Sequence, residues 1–229
     1  MKMSLVEIFI KKMIIIIFMK RIIMVGGLQY SGKTTFCRHI ENDNDRVKYI
    51  SLDDISKKFY SDDDLLFNTI KKYDMADDLV KISESKNMND SEFHEECAKI
   101  CSLLHISREI IMPNNNKIST YLIDGIFYNK ATRALLLNSL EYRLNEFEKL
   151  DSFDKKFIYF DLGLDLSLNR HEKYNYKRNN SLECTKEYIA NTYSSQEIPT
   201  NDELKGVEIK IIRNQSDYNK ELENIKFRL

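Results

Sequence analysis

Short apolar runs alternate with amphipathic segments along most of the chain. Five runs are almost continuously apolar, which is typical of strands covered on both faces, and are predicted to be strands. They lie at residues 21–25, 47–51, 120–123, 157–161 and 207–212. Apolar spacings of three, four and seven residues predict helices over residues 33–41, 92–112 and 131–150. This alternation predicts an α/β fold with a parallel sheet.

The length of 229 residues is that of one domain, or of one domain with an insertion. Residues 19–229 are predicted to form it. Residues 57–116 are too many for one crossover and are predicted to be a helical insertion that closes with a turn at 113–116. Residues 1–18 are predicted to be an N-terminal appendage. The apolar run at 13–19 is far shorter than the ~20 residues that span a membrane, so no membrane association is expected.

Composition and charge narrow the class of protein. Apolar residues make up 42% of the chain and charged residues 31%, as in soluble globular proteins. The net charge of −1 excludes the overall basic surface of a nonspecific nucleic-acid-binding protein. The four cysteines form no CxxC pair, so Cys97 and Cys101 are predicted to be core residues. Free thiols favour a cytoplasmic location.

The segment GLQYSGKT matches the phosphate-binding pattern G-x-x-x-x-G-K-[ST], between a predicted strand and a predicted helix. Its glycines permit backbone angles that let the loop amides, and the positive end of the next helix, converge on phosphates. Lys33 is expected to reach the β- and γ-phosphates of ATP, and the Thr34 hydroxyl to join the Mg²⁺ shell. The residues expected to contact the nucleotide here are Gly27, Leu28, Gln29, Tyr30, Ser31, Gly32, Lys33, Thr34 and Thr35.

Acidic residues follow two of the predicted strands, at the sheet edge where α/β proteins bind ligands. Asp53 comes after the second strand and is a candidate to accept a proton from an attacking hydroxyl. Helix capping is the alternative for this pair of acids, and Asp54 is predicted to be a cap. Asp124 ends the third strand and is expected to bind Mg²⁺ or its waters, unless it is only a turn residue before Gly125.

A basic segment follows the fourth predicted strand. Residues 164–180 contain Arg170 and Arg178 and few large aliphatic side chains after Leu168. Such a segment can close over phosphates as a lid, stabilise transferred charge and exclude water. The alternative is an exposed charged helix. As a lid, it is expected to be mobile without nucleotide, because Arg170 would lack partners until phosphates arrive.

Five sequence blocks resemble, in order, those of the polynucleotide-kinase-like (AAA_33-type) ATPases, a branch of the P-loop kinases. Together they span about residues 19–213. The blocks are GLQYSGKTT, ISLDDI, IDGIFYNKATR, NRHEKYNYKR and EIPTNDELKGVEIKII. The third block ends in Arg133, and the last contains Pro199 and Glu203.

This resemblance implies a P-loop NTPase fold with a five-stranded parallel sheet in the order 2-3-1-4-5, flanked by helices. It implies that Asp53 is the general base, and that Arg170, with Arg178 as a second candidate, is a lid arginine. Lys33, Arg170 and Mg²⁺ would neutralise charge during transfer, while Thr34 and Asp124 hold the metal. Two departures concern the acceptor pocket: Ser56 replaces an arginine of polynucleotide-specific members, and Gly125-Ile126 replaces a pair of small residues.

The expected activity is transfer of the ATP γ-phosphate to a hydroxyl of a small molecule, which includes nucleosides. The net charge of −1 and Ser56 favour this acceptor class over the 5′-hydroxyl of a polynucleotide. A nucleotide-sugar acceptor, as in toxin-like kinases, is a further possibility. An ATP-binding switch or ATPase module without an acceptor is the alternative of another class.

Overall fold

Five parallel strands form one sheet in the computed structural model, which describes residues 20–72, 88–111, 118–145, 153–175 and 185–228. The strands are β1 (Lys20–Gly27), β2 (Val47–Ser51), β3 (Thr120–Asp124), β4 (Phe153–Phe160) and β5 (Glu208–Ile212). Their order is β2-β3-β1-β4-β5, which confirms the predicted topology. β1 is central, so the loop that follows it lies in the middle of the carboxyl edge of the sheet.

Eight helices are described. They are α1 (Lys33–Asn42), α2 (Leu52–Ser61), α3 (Asp63–Lys72), α4 (Asp90–Ile111), α5 (Lys130–Asn145), α6 (Leu164–Asn175), α7 (Lys186–Ser194) and α8 (Gln215–Arg228). The predicted helix over residues 131–150 is described as far as residue 145, and residues 146–150 lie outside the described part of the chain.

The sheet is apolar on both faces because consecutive side chains of a strand point to opposite sides. In β1, Ile22 and Met24 join a cluster that includes side chains of α4 and α5. Ile23 and Val25 join a second cluster with side chains of α1 and α8. The helices therefore cover the two faces as separate layers, as the continuous apolar runs predicted.

β4 begins at Phe153, four residues before the predicted start at residue 157. Residues 154–156 are polar, so this part of the strand does not continue the apolar run from which the strand was predicted. Lys156 is buried there because its ammonium pairs with Glu208 Oε1 at 2.9 Å and with Glu221 Oε1 at 2.5 Å. A lysine paired in this way fits inside a sheet whose pattern would otherwise exclude it.

α2, α3 and α4 share a small core of their own, made by Phe59, Leu66, Cys97, Ala98 and Cys101. The two cysteines are buried core residues, as predicted, and burial raises the pKa of the Cys101 thiol to about 12. Residues 73–87 and 112–117 of the predicted insertion lie outside the described residues, as does the appendage at 1–18. The division into appendage, insertion and lid therefore stays a prediction. In the described segments, none of the helices is both long and apolar enough to cross a bilayer.

Candidate nucleotide-binding site

The phosphate-binding motif forms the turn between β1 and α1. Gly27 has φ 128° and its backbone passes so close to β4 that an added Cβ would lie 2.5 Å from the Phe160 carbonyl oxygen. Gly32 has φ 101° and immediately precedes the first helical residue. Both positions are strained for any residue with a side chain, so the two glycines of the motif are required by the backbone path. The amino end of α1 thus starts at the mouth of the loop.

Lys33 is held inside this loop. Its side chain is 8% exposed, and Nζ donates to the Leu28 carbonyl oxygen at 2.6 Å and to Ser31 Oγ at 3.5 Å. The ammonium therefore already lies among the loop atoms. A phosphate entering the loop would meet a positive charge that has lost most of its water.

Thr34, the next residue, contacts the acid at the end of β3. Thr34 Oγ1 donates to Asp124 Oδ2 at 2.6 Å, and Asp124 is 5% exposed. Tyr49 of β2 donates its hydroxyl to the same oxygen at 3.1 Å. Burial, reinforced by the charge of Asp124, raises the pKa of the Tyr49 phenol, so it stays a protonated donor.

This hydroxyl–carboxylate pair fits Mg²⁺ by the chemistry of its donors. Mg²⁺ prefers oxygen, and nucleotide sites commonly hold it by one or two protein groups plus phosphate oxygens and water. Within the described residues there is no cluster of three His, Cys, Asp or Glu side chains that would hold a metal without a nucleotide. The structure brings together Thr34 and Asp124, the two residues predicted to hold the metal.

Asp53 lies in the first turn of α2, directly after β2. The helix is capped by Ser51, whose Oγ accepts a hydrogen bond from the Asp54 amide at 3.2 Å. The prediction that Asp54 is the cap is therefore wrong: serine precedes both acids and bonds the free amide of the first turn. Both aspartates lie within that turn instead.

The Asp53 carboxyl is part of the same electrostatic environment as the loop. The surrounding protein displaces water and raises its pKa; Lys33 opposes this shift and Asp124 adds to it. The side chain nevertheless keeps an exposed surface. A carboxylate that keeps an exposed surface and whose pKa is raised by burial has the properties of a candidate general base.

Arg170 of α6 is hydrogen-bonded to the backbone of the phosphate-binding loop. Its Nη1 donates to the carbonyl oxygens of Tyr30 at 3.1 Å and Ser31 at 2.8 Å. Tyr30 has φ 59°, and its ring meets that of His171 edge-on, with centroids 5.2 Å apart. The expectation that Arg170 lacks partners without a nucleotide is therefore wrong, because loop carbonyls already accept its hydrogen bonds. Arg178 lies outside the described residues.

Arg133 and Glu203 meet although they come from separate blocks. Arg133 is 1% exposed; its Nε donates to Glu203 Oε1 at 2.6 Å and its Nη2 to Oε2 at 2.9 Å. Arg133 Nη1 also donates to the carbonyl oxygens of Glu197, at 2.8 Å, and Phe127, at 3.3 Å. The pair ties the segment before β5 to α5 and is structural in its contacts.

Tyr49 is the residue that the sequence analysis missed. Ser51 pairs with Asp124 in the parallel register of β2 and β3, and Tyr49 lies two residues earlier on the same face of the sheet. The alternation within β2 places Tyr49 and Ser51 together, but only the pairing of strands far apart in sequence shows which acid they face.

Neither a protein-family model nor a curated protein sequence matches this chain significantly. Its structure resembles Kti12 of Chaetomium thermophilum, solved in complex with ADP-AlF3, with a TM-score of 0.53 and 15% identity over 89% of this chain and 96% of that one. A proposed kinase from Chloroflexus aurantiacus has a TM-score of 0.50 and 13% identity over 92% and 99% of the two chains. At these identities the likeness shows the fold, and the chain has the α/β P-loop NTPase fold.

Proposed function

We propose that this protein is an ATP-dependent kinase that transfers the γ-phosphate to a hydroxyl of a small molecule. The observation that carries the proposal is the meeting of three groups at one sheet edge. Lys33 lies inside the loop, Thr34 contacts Asp124, and Asp53 lies in the first helical turn after Ser51, the β2 residue that pairs with Asp124. The structural neighbour Kti12 was solved with ADP-AlF3, which supports nucleotide binding by a protein of this fold.

The nucleotide side of the reaction belongs to the loop and α6. Lys33 and the loop amides would bind the β- and γ-phosphates, and Arg170 would exchange a loop carbonyl for a phosphate oxygen. Thr34 and Asp124 would hold Mg²⁺, which neutralises charge on the phosphates when it is bound. Because these groups are fixed before transfer, they stabilise the charge that develops in the transition state.

Asp53 belongs to the acceptor side. Its carboxylate would take the proton of the acceptor hydroxyl as the hydroxyl oxygen forms a bond to the γ-phosphorus. The bond from the γ-phosphorus to the bridging oxygen of ADP breaks in the same step. The products are ADP, a phosphate monoester and a proton that Asp53 has accepted.

A small hydroxyl compound is the favoured acceptor. The net charge of −1 provides no general attraction for a polyanion. Ser56 stands where polynucleotide-specific members of the family that the chain resembles have an arginine. Membership of the polynucleotide-kinase-like family is part of this proposal and rests on the ordered sequence blocks. A polynucleotide 5′-hydroxyl acceptor is the alternative within the kinase class. An ATPase module would instead hydrolyse ATP without any acceptor.

Transfer of label decides between these functions. The protein is incubated with ATP labelled at the γ-phosphate, Mg²⁺, and separate pools of metabolites, nucleosides and 5′-hydroxyl oligonucleotides. We expect a labelled phosphate monoester in the metabolite or nucleoside pool, and none with Lys33→Ala, which loses the loop cation. Lys58→Ala removes an exposed lysine of α2 and is the matched control.

Label in oligonucleotides alone would replace the small-molecule acceptor by a polynucleotide. Label only in free phosphate, whichever pool is present, would favour the ATPase module. Wild-type turnover by Lys33→Ala would contradict the assignment of the loop.

A further inference from the structure

Asp124 has two hydroxyl donors on one oxygen, and only one of them belongs to the phosphate loop. Thr34 Oγ1 and Tyr49 OH both donate to Oδ2, at 2.6 and 3.1 Å. Within the described residues, no side-chain hydrogen bond is made to the other oxygen, Oδ1. Both donors hold the same side of the carboxylate, so rotation about the Cβ–Cγ bond would break both bonds together.

The hydroxyl of Tyr49 has a fixed position. The Tyr49 amide donates to Glu41 Oε1 at 2.9 Å, which ties β2 to the end of α1. The ring is half-buried against the apolar cluster between the sheet and α1, and Tyr49 pairs with Leu122 of β3. Backbone bond, ring packing and strand register therefore all hold the phenol beside Asp124.

The two donors differ in what they do when a nucleotide binds. Thr34 is exposed at the loop, and its oxygen is the proposed Mg²⁺ ligand, so its own geometry depends on the metal. Tyr49 lies on a strand behind the carboxylate and is not part of the loop. It can keep its hydrogen bond to Asp124 whether or not the metal is present.

We infer that Tyr49 is a positioning residue that orients Asp124 for Mg²⁺ and so sets the Mg²⁺ requirement of nucleotide binding. This inference rests on the proposed function. Hydrogen-bond partners of metal-binding carboxylates typically contribute about 10–100-fold to metal affinity. Because Tyr49 is a neutral donor at a half-buried position, we expect a contribution of about 10-fold, at the lower end of that range.

The test is equilibrium binding of a fluorescent ATP analogue, titrated with Mg²⁺ from an EDTA-treated start. Tyr49→Phe is expected to raise the half-saturating Mg²⁺ concentration by about 10-fold, while analogue affinity in EDTA and the melting temperature change little. Tyr159→Phe is the matched control. It removes a phenol that donates to the Tyr128 carbonyl oxygen at 3.4 Å, and its ring belongs to the apolar cluster on the other face of the sheet from Tyr49.

The Asp124→Asn background shows whether Tyr49 acts through the carboxylate. There, Tyr49→Phe should cause no further change in the Mg²⁺ requirement, because residues that act as one unit are not additive. An unchanged Mg²⁺ requirement in Tyr49→Phe alone would overturn the inference, as would equal weakening with and without Mg²⁺. Failure of the wild type to bind the analogue would overturn the proposed function, and the inference with it.

Discussion

At the scale of single residues, the candidate site contains three charged side chains, Lys33, Asp124 and Asp53, and each has a different environment. Lys33 is buried in the loop and donates a hydrogen bond to the Leu28 carbonyl oxygen. Asp124 is buried and accepts hydrogen bonds from two hydroxyl groups. Asp53 differs from these two groups because it keeps an exposed surface. The surrounding protein raises the pKa of its carboxyl by displacing water. We therefore propose Asp53 as the group that accepts the proton, while Lys33 and Asp124 keep the positions that their hydrogen bonds give them.

Asp53→Asn should lower kcat by roughly 10²–10⁴-fold, because the amide cannot accept the acceptor proton. Affinity for ATP should change little. Asp54→Asn is the matched control from the same helical turn: its backbone amide keeps the hydrogen bond to Ser51, so turnover should stay near wild type. Steady-state kinetics of the two variants check this, and a larger loss in Asp54→Asn would move the base to that residue.

The raised pKa of Asp53 also predicts how the stability of the protein changes with pH. The folded state binds this proton more tightly than the unfolded state, so the carboxyl contributes stability at low pH that is lost as pH rises through its folded pKa. Asp53→Asn should therefore be more stable than the wild type at neutral pH, with the difference vanishing in acid. Urea unfolding from about pH 3 to pH 8 measures this difference, because it vanishes only below the ordinary aspartate pKa of about 3.9. An Asp53→Asn variant less stable than the wild type at pH 7 would contradict the sign. Wild-type kcat should rise over the same titration, as the base loses its proton.

At the scale of elements, α2 positions Asp53, the proposed general base. The helix begins directly after β2 because Ser51 accepts the hydrogen bond from the Asp54 amide. The first turn of this helix, which contains Asp53, therefore follows the carboxyl end of β2 directly. The position of the candidate base thus depends on a helix cap as well as on its own side chain.

Ser51→Ala should destabilise the protein by about 1 kcal/mol and also lower kcat, because losing the cap loosens the turn that contains Asp53. Thr185→Ala is the matched control. Thr185 caps α7 in the same way, accepting from the Tyr188 amide at 3.0 Å, so its loss should reduce stability without reducing turnover. Thermal unfolding and kinetics on both variants measure the two effects, and equal turnover in both would separate the cap from the reaction.

Arg170 connects another element, α6, to the loop. Arg170→Ala removes the hydrogen bonds to the Tyr30 and Ser31 carbonyl oxygens, so α6 should be cut faster by trypsin at Lys173 in the absence of nucleotide. The same variant should lower kcat more than it raises the KM for ATP, because charge stabilisation is greatest in the transition state. Arg38→Ala, an exposed arginine of α1, is the control. Unchanged cutting at Lys173 would show that Arg170 does not dock the helix.

At the scale of the whole molecule, one buried ion pair joins parts of the chain 70 residues apart. Arg133 and Glu203 form two hydrogen bonds with each other, and Arg133 also bonds two carbonyl oxygens. Removing two charges from water carries a large free-energy penalty, which is offset only if each charged group keeps its hydrogen-bond and charge partners. The contact therefore makes the segment before β5 dependent on α5.

Glu203→Gln should cost about 3–5 kcal/mol of unfolding free energy, because it leaves Arg133 buried without its charge partner. The double variant Arg133→Met/Glu203→Leu should recover most of this loss, since no buried charge remains. Asp154→Asn breaks the half-exposed 2.8 Å pair with Arg21 and should cost less than about 1 kcal/mol. Urea unfolding compares the three, and equal costs for the two single variants would contradict the role of burial.

The phosphate loop and the sheet topology were accessible from the sequence alone. The loop is contiguous: two glycines that the backbone requires, a lysine and a threonine lie within eight residues, so local pattern is enough to recognise it. Continuous apolar runs indicated strands covered on both faces, and the resemblance of the ordered blocks supplied the strand order that the structure confirms.

The arrangement of groups around the loop required the folded chain. Thr34 and Asp124 are 90 residues apart, and Tyr49 and Asp124 are 75 apart, so they meet only through the pairing of β2, β3 and β1. The loop contacts of Arg170, about 140 residues away in sequence, arise from the same assembly, whereas the Ser51 cap is local because Ser51 accepts from an amide three residues later. Local sequence constrains dihedral angles and hydrophobic period, whereas a hydrogen bond between strand ends depends on register, which many distant contacts set together.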